Sequence, residues 1–141
     1  MLKRFFEFKP QPSFLSLALL ILRLAVGIAF ILHGWSKIQT PFSWMPPESP
    51  VPGFLQLLAA VAEFGGGFAL ILGLLTPLAS LGLVFTMAGA TVLHAIIMRD
   101  PFVNPGGGSY ELSLIYLCLS LVLIATGPGK YSLDAQLFKR K

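Results

Sequence analysis

Four long apolar segments limit what this chain can fold into more than any other feature of its sequence. A membrane-spanning helix needs about 20 predominantly apolar residues, and four windows meet that need: residues 13–35, 53–75, 77–98 and 110–126. Only 11% of the residues are charged, against about 25% in soluble domains. The sequence therefore predicts an all-α membrane protein, a single transmembrane domain over residues 1–141 that folds as an antiparallel four-helix bundle.

The connections and the basic residues predict the orientation of this bundle. Thr76-Pro77 is the only break between the second and third segments, and Pro77 is expected to begin the third helix. The proline- and glycine-rich connections 38–52 and 99–109 are predicted to be loops on the opposite side. Two basic residues lie on that side, Arg99 within the second connection and Lys37 directly before the first, whereas the termini carry Lys3, Arg4, Lys9, Lys130, Lys139, Arg140 and Lys141. The positive-inside rule then places both termini in the cytoplasm, and the net charge of +4 needs no nucleic-acid partner.

Ionisable residues inside the apolar segments are the first candidates for function. They are Arg23, His33, Glu63, His94 and Glu111, with Lys37 just beyond the first segment. A charge at the centre of a spanning helix costs about 2.5–3.5 kcal/mol on insertion scales, so such groups normally face the bundle interior and pair with one another. Counting about 1.5 Å of helical rise per residue from Trp35 and from Gly53 places Arg23 and Glu63 at similar depth. We therefore predict an Arg23–Glu63 ion pair near the midplane, with a purely structural pair as the alternative.

The other polar residues are predicted to form a funnel that opens from this pair toward the outer face. Gln56 lies seven residues before Glu63 and so shares its helical face. The predicted members of the funnel are Gln56, His33, Lys37, His94, Tyr110 and Glu111. Because polar contacts between membrane helices contribute only about 0.6 kcal/mol on average, a cluster with a structural role alone stays an alternative to a binding site.

Three consecutive glycines, Gly65 to Gly67, follow Glu63 almost directly. Small residues spaced four apart allow membrane helices to approach closely. The same lack of side chains would also make room for a flat ligand beside Gly66 and Gly67. The sequence leaves both uses open.

Taken in order, four stretches resemble the DoxX family of small four-helix bacterial membrane proteins. They are LRLAVGIAFILHGWSKI, EFGGGFALILGLLTPLA, AGATVLHAIIMRD and GGGSYELSLIYLCLSLVLIATGPGKYSLD, within residues 15–137. The positions that match the polar motifs of the family are Arg23, Gly34, Lys37, Glu63, His94 and Glu111. The resemblance implies a multi-pass protein of the bacterial inner membrane. It also implies a subunit linked to quinone or sulfur-compound oxidoreduction, because founding relatives resemble the small subunit of a thiosulfate:quinone oxidoreductase.

The leading functional hypothesis is therefore a quinone-interacting subunit or small oxidoreductase component, open to quinone or another lipid-soluble molecule from the bilayer. Its catalytic candidates are Glu63, Glu111 and His94, and its candidates for holding the quinone are Arg23, His33, Lys37, Gln56, Gly66, Gly67 and Tyr110. The single cysteine, Cys118, excludes a CxxC redox pair. Electrons would have to come from a partner oxidoreductase subunit or a soluble substrate.

Three other functions stay open at this stage. The first is a non-catalytic scaffold or assembly subunit of an oxidative-stress or respiratory complex. The second is a haem held by His33 and His94, which ranks low because no two histidines share a helix; no metal site is predicted. The third is a small-solute transporter, which with four helices and no inverted repeat would need to form a homo-oligomer.

Overall fold

The computed structural model describes residues 11–138, and all of the regular secondary structure in that range is helical. Helix α1 runs over Ser13–Gln39, α2 over Gly53–Leu72 and α3 over Thr76–Val92. Helix α3 continues as a π-helical turn over Leu93–Ile97. Helix α4 spans Glu111–Thr126, and a short α5 spans Leu133–Leu137.

The helices have the length and the surface of membrane-spanning elements. Three of them, Ser13–Gln39, Gly53–Leu72 and Thr76–Ile97, are long and apolar enough to cross a bilayer, whereas Glu111–Thr126 is shorter. Large apolar side chains point away from the bundle, as at Phe14, Leu32 and Phe85, which are 86%, 71% and 71% exposed. Such a surface suits lipid and would be unfavourable in water. A fourth crossing by α4 stays a prediction.

Both ends of the bundle can be named from the connections. The loop end holds the connections at 40–52 and 98–110, and the turn end holds the tight link between α2 and α3. At that link Gly73 adopts a left-handed conformation (φ 63°), as does Leu75 (φ 48°), and α3 begins at Thr76 with Pro77 in its first turn. Six of the basic residues behind the orientation prediction lie at 1–10 and 139–141, outside the described residues, so cytoplasmic termini stay a prediction.

Glycines set the spacing and the register of α1 against α2. A Cβ on Gly67 would lie 2.7 Å from the carbonyl oxygen of Gly27, and a Cβ on Gly34 would lie 2.6 Å from the backbone nitrogen of Phe64. The first approach has glycine on both helices, and the second requires glycine on α1. Residue numbers rise along one helix as they fall along the other, so the two helices are antiparallel.

This register shows that the predicted Arg23–Glu63 ion pair is wrong. The prediction assumed that Trp35 and Gly53 lie level, but Gly53 lies against Phe42, beyond the end of α1. The assumed register is therefore displaced by roughly two helical turns, or about 10 Å. Arg23 lies against Gly73 at the turn end, and Glu63 lies ten residues earlier in α2, about 15 Å away along the helix axis.

The four long helices pack in chain order around one apolar core. Helices α1 and α2, α2 and α3, and α3 and α4 approach closely through their backbones. Helices α1 and α4 meet through aromatic side chains, since the Phe30 and Tyr116 rings lie 4.9 Å apart. The buried apolar side chains are Leu19, Val26, Phe30, Leu70, Leu83, Met87 and Leu123. Within residues 11–138, three charged residues are also buried in the bundle: Arg23, Glu63 and Asp134.

Candidate functional site

An ion pair joins the half-buried Lys37 of α1 to the buried Glu63 of α2. The Lys37 Nζ atom lies 2.7 Å from Glu63 Oε1 and 2.6 Å from Oε2, so the ammonium donates to both carboxylate oxygens. The side chain of Glu63 is 2% exposed and that of Lys37 is 23% exposed. Lys37 can reach because Gly34, one turn before it, brings the backbone of α1 against Phe64. Glu63 therefore does have a charged partner, and that partner is Lys37.

The ring of Trp44 covers the cationic half of this pair. Lys37 Nζ lies 4.6 Å from the centroid of the Trp44 ring, within range of a cation–π interaction. An ammonium carries three N–H donors, two of which are directed at Glu63. One donor of Lys37 is left in a partly exposed position at the edge of the bundle. We refer to Lys37, Glu63 and Trp44 as the ion-pair site.

Gln56 fixes the loop that carries Trp44. Its side chain accepts a hydrogen bond from Met45 N at 3.0 Å and donates one to Val51 O at 2.9 Å. The main-chain carbonyl oxygen of Gln56 accepts a hydrogen bond of 2.9 Å from Trp44 Nε1. Gln56 thus positions the loop that holds the Trp44 ring over Lys37. Its polar side-chain atoms are engaged by this loop, which assigns it a supporting role.

His33 lies one turn before Lys37 but faces helix α4. It is exposed, and its ring lies 6.2 Å from that of Tyr116 in an edge-on arrangement. Tyr116 in turn covers the buried Phe30. His33 and Tyr116 therefore form the aromatic boundary between α1 and α4 beside the ion-pair site.

The remaining predicted residues of the funnel gather in the second loop instead. His94 Nδ1 lies 2.7 Å from Asp100 Oδ2. The Tyr110 ring packs against Phe102 at 5.3 Å, and Glu111 starts α4 with its N–H bonded to Phe102 O. Within residues 11–138, neither His94 nor Glu111 forms an ion pair with Lys37 or Glu63. The residues predicted to form one funnel therefore lie in two separate polar groups at the loop end. One is the ion-pair site and the other surrounds His94 and Asp100.

Arg23 belongs to a third group, at the turn end. It is fully buried, and its guanidinium donates to Leu70 O at 3.3 Å and also to Tyr131 O. Asp134 lies near enough to interact with it electrostatically. The two Asp134 carboxylate oxygens accept hydrogen bonds from Leu75 N and Thr76 N at 2.7 and 2.8 Å. The segment after α4 therefore ties Arg23 to the α2–α3 turn.

The glycines beside Glu63 have different neighbours. Gly67 faces α1, whose backbone fills the place of a side chain, and a Cβ on Gly66 would make ordinary contacts of 3.6–3.7 Å with Leu83. A Cβ on Gly65 would meet no heavy atom within 4 Å. Close packing is thus the use that the structure shows at Gly67, and the ligand role of Gly66 and Gly67 stays a prediction.

Sequence reasoning missed three residues of these groups. Trp44 lies in the proline-rich connection 38–52, and nothing in the sequence near it indicates Lys37 as a partner. Asp100 and Asp134 lie outside the apolar segments. A carboxylate there is not unusual and does not by itself indicate a functional site. Asp134 did stand in the motif GPGKYSLD, whose run of turn-forming residues could have indicated a buried cap.

The described residues include no group of three His, Cys, Asp or Glu side chains that could hold a metal ion. Between residues 11 and 138, His33 contacts Tyr116 and His94 contacts Asp100, and no contact joins the two histidines. The chemistry that the ion-pair site offers is therefore a buried carboxylate, one spare ammonium donor and an indole ring.

Comparison with known proteins identifies the family. A model described as DoxX matches residues 18–95, which is more than half of the chain and includes Lys37, Glu63 and Trp44. This chain belongs to the DoxX family. The DoxX chain is 36% identical over 126 residues to "Inner membrane protein YqjF" of Escherichia coli, covering 86% of this chain and 92% of that protein. With "Inner membrane protein YphA" of the same organism it shares 31% identity over 137 residues, covering 93% and 96%.

A third relative, "Putative oxidoreductase CatD" of Bacillus subtilis, is 30% identical over 124 residues, covering 86% of this chain and 88% of that protein. No solved structure is a significant match for this DoxX chain. The relatives named as inner membrane proteins and the apolar helices together make it a multi-pass protein of the inner membrane.

Proposed function

We propose that this DoxX protein is a quinone-interacting component of a membrane oxidoreductase, with the quinone headgroup bound beside Lys37 and Glu63. The observation that carries the proposal is the pairing of the buried Glu63 carboxylate with Lys37, whose ammonium lies 4.6 Å from the centroid of the Trp44 ring. Ionisable residues within a membrane bundle are candidates for function because their burial is unfavourable. A pair that needed only to fix helix register would not require an aromatic lid over its cation.

The residues of the ion-pair site fit the chemistry of a quinone. A quinone carbonyl accepts hydrogen bonds and so requires a donor, which the third N–H of Lys37 supplies. The Trp44 ring offers a flat apolar surface beside that donor, and ring stacking is favourable for aromatic groups. The apolar surface of the bundle is in contact with lipid, the phase in which such molecules dissolve.

A bound quinone would supply two-electron redox chemistry that takes up two protons on reduction. The protein's part is to position and to exchange protons. Lys37 orients an acceptor oxygen and balances negative charge beside it. Glu63, whose two oxygens both accept from Lys37, is ionised in this pair. It is placed to take up a proton when the ammonium turns toward the ligand and to release that proton when the pair forms again.

The electrons have to come from outside this chain. Its one cysteine, Cys118, cannot form a redox-active disulfide within the chain. A partner subunit or a soluble reductant is therefore part of the proposal. The name of the Bacillus subtilis relative, which includes the word oxidoreductase, supports this class of function.

Substitution of Glu63 by glutamine tests the proposal. Glu63→Gln keeps the size of the side chain but removes its charge, so it frees the ammonium and abolishes proton exchange at this position. With a short-chain quinone as the ligand, we expect thermal stabilisation of the purified wild-type protein. From the dependence of that stabilisation on quinone concentration, we expect the Kd to be at least about tenfold higher in Glu63→Gln, which corresponds to about 1.4 kcal/mol of binding free energy.

Glu48→Gln is the matched control, because Glu48 lies exposed in the neighbouring loop; we expect it to bind as the wild type does. Equal quinone binding by folded Glu63→Gln would reject the ion-pair site. Absence of any quinone effect on the wild type would instead favour a scaffold or assembly subunit. Mass spectrometry of co-purifying lipids provides an independent readout of the bound molecule.

A further inference from the structure

A histidine and an aspartate form a second polar pair at the loop end, apart from the ion-pair site. Helix α3 widens into a π-helical turn at Leu93–Ile97, and His94 lies in that turn with its Nδ1 atom 2.7 Å from Asp100 Oδ2. The Asp100 backbone N–H also donates to His94 O at 2.9 Å. Single π-helical turns occur often at functional sites, and this one fixes both partners through two separate hydrogen bonds.

The loop after the π-helical turn is shaped around the Asp100 carboxylate. A Cβ on Gly108 would lie 2.6 Å from Asp100 Oδ2, so the backbone at Gly108 passes directly beside the carboxylate. Arg99, the preceding residue, has a left-handed conformation with φ 56°. A non-glycine residue in that region costs about 1–3 kcal/mol and persists only where the surrounding structure holds it. The loop thus holds Asp100 against the His94 ring despite local strain.

The pairing determines which ring nitrogen of His94 carries a proton. An ionised carboxylate only accepts hydrogen bonds, so the proton of the neutral imidazole lies on Nδ1. The lone pair is then on Nε2. Among residues 11–138, Nε2 has no hydrogen-bond partner, and the His94 side chain is 34% exposed. The basic nitrogen therefore has no partner among these residues and belongs to a side chain that is one-third exposed.

From this geometry we propose that His94 and Asp100 form a proton-accepting dyad. His94 Nε2 would take the proton from an acidic hydroxyl or thiol group of a small molecule that reaches the loop end. The O–H or S–H bond breaks, an Nε2–H bond forms, and the electron pair stays on the oxygen or sulfur. The imidazolium that results is stabilised by the Asp100 carboxylate, as in other aspartate-oriented histidines.

The dyad is independent of the ion-pair site. No hydrogen bond or ion pair within the described part of the chain links His94 or Asp100 to Lys37 or Glu63. The other charged groups near this loop, Arg99 beside Asp100 and Glu111 at the start of α4, form no ion pair with His94 over residues 11–138. Asp100 is thus the charged group that orients the ring.

Histidine-selective nitrogen-15 NMR of the full-length protein tests the dyad, because the chain contains only His33 and His94. At mildly alkaline pH we expect the His94 ring to carry its proton on Nδ1 and to have an unprotonated Nε2. His33, which has no carboxylate partner in the described range, serves as the internal reference. A His94 ring protonated on Nε2 in the wild type would overturn the proposal without any variant.

Asp100→Asn and Asp100→Glu extend the test. The amide of asparagine can donate to Nδ1 and so select the opposite tautomer, whereas glutamate keeps the acceptor. We expect acylation of His94 by diethyl pyrocarbonate, normalised to His33, to fall severalfold in Asp100→Asn and to recover in Asp100→Glu. Equal acylation rates in the wild type and in folded Asp100→Asn would show that the pair only fastens the loop.

Discussion

At the scale of single residues, Asp134 joins the start of α3 to the buried Arg23. Its carboxylate accepts the N–H groups of Leu75 and Thr76, which α3 leaves unpaired at its start. Its own N–H donates to Gly73 O at 2.9 Å. It also lies near the buried Arg23 guanidinium. One side chain therefore stabilises both a helix start and a buried cation.

Removal of this carboxylate should lower the stability of the whole bundle. We expect Asp134→Ala to decrease the free energy of unfolding by about 2–4 kcal/mol, because two hydrogen bonds to a charged acceptor are lost and Arg23 loses a neighbouring anion. The measurement is the unfolding of the purified protein in detergent. Gln136→Ala is the control, since Gln136 is exposed in the same short helix, and an equal loss in both variants would contradict this role.

Lys37 and Glu63 differ from Asp134 in how much their interaction contributes to the stability of the fold. Replacing a buried ion pair by apolar residues is often neutral for stability, whereas removing one partner costs about 3–5 kcal/mol. The pair therefore offers little net stabilisation over an apolar contact. This supports a use of the charges other than holding α1 against α2, where Gly27, Gly34 and Gly67 already provide close contact.

At the scale of the helices, the α1–α2 contact depends on glycine. Gly67 and Gly27 approach so closely that neither can carry a side chain without moving the other helix. Dispersion forces in such close contacts are a main source of association between membrane helices. The register of these two helices decides that Lys37 lies level with Glu63 and that Arg23 does not.

Enlargement of Gly67 should therefore separate α1 from α2. We expect Gly67→Val to destabilise the protein by about 1–3 kcal/mol, as overpacking does elsewhere, and to weaken the Lys37–Glu63 contact. Gly65→Ala is the matched control, because a Cβ there meets no heavy atom within 4 Å. Thermal unfolding measures both variants. A Gly67→Val protein as stable as Gly65→Ala would contradict the close packing.

At the scale of the whole molecule, polar groups are distributed between two ends. The loop end carries the ion-pair site and the His94–Asp100 dyad, and the turn end carries the Arg23–Asp134 group. The positive-inside rule predicts that the loop end faces outward, which would open both polar groups of that end to the periplasmic side.

Cysteine labelling tests this orientation. In a Cys118→Ser background, we expect Ser43→Cys and Gly106→Cys at the loop end to react with a membrane-impermeant maleimide in intact cells. Gln136→Cys at the turn end should react only after the inner membrane is permeabilised. All three positions are exposed. A difference in labelling therefore reports the side of the membrane on which each position lies. The reverse pattern would show that the loop end faces the cytoplasm.

The sequence by itself determined the helices of this protein and the need to pair its buried charges. Runs of about 20 apolar residues can satisfy their backbone groups in lipid only as helices, and proline and glycine indicate where those helices are interrupted. The sequence also predicted that Glu63 would have a cationic partner, because an unpaired charge inside a membrane bundle is unfavourable.

Only the tertiary structure decided which partner that is. Depth counting depends on where each helix ends, and one extra turn of α1 together with the packing of Gly27 against Gly67 moved the register by roughly 10 Å. The partners of Lys37, His94 and Arg23 include Trp44 and Asp100, which lie in connecting loops, and Asp134, which lies in the short helix α5. Periodicity carries no information in segments this short or irregular. Packing between helices and the course of the loops fixed these contacts, and neither follows from the pattern of any one segment.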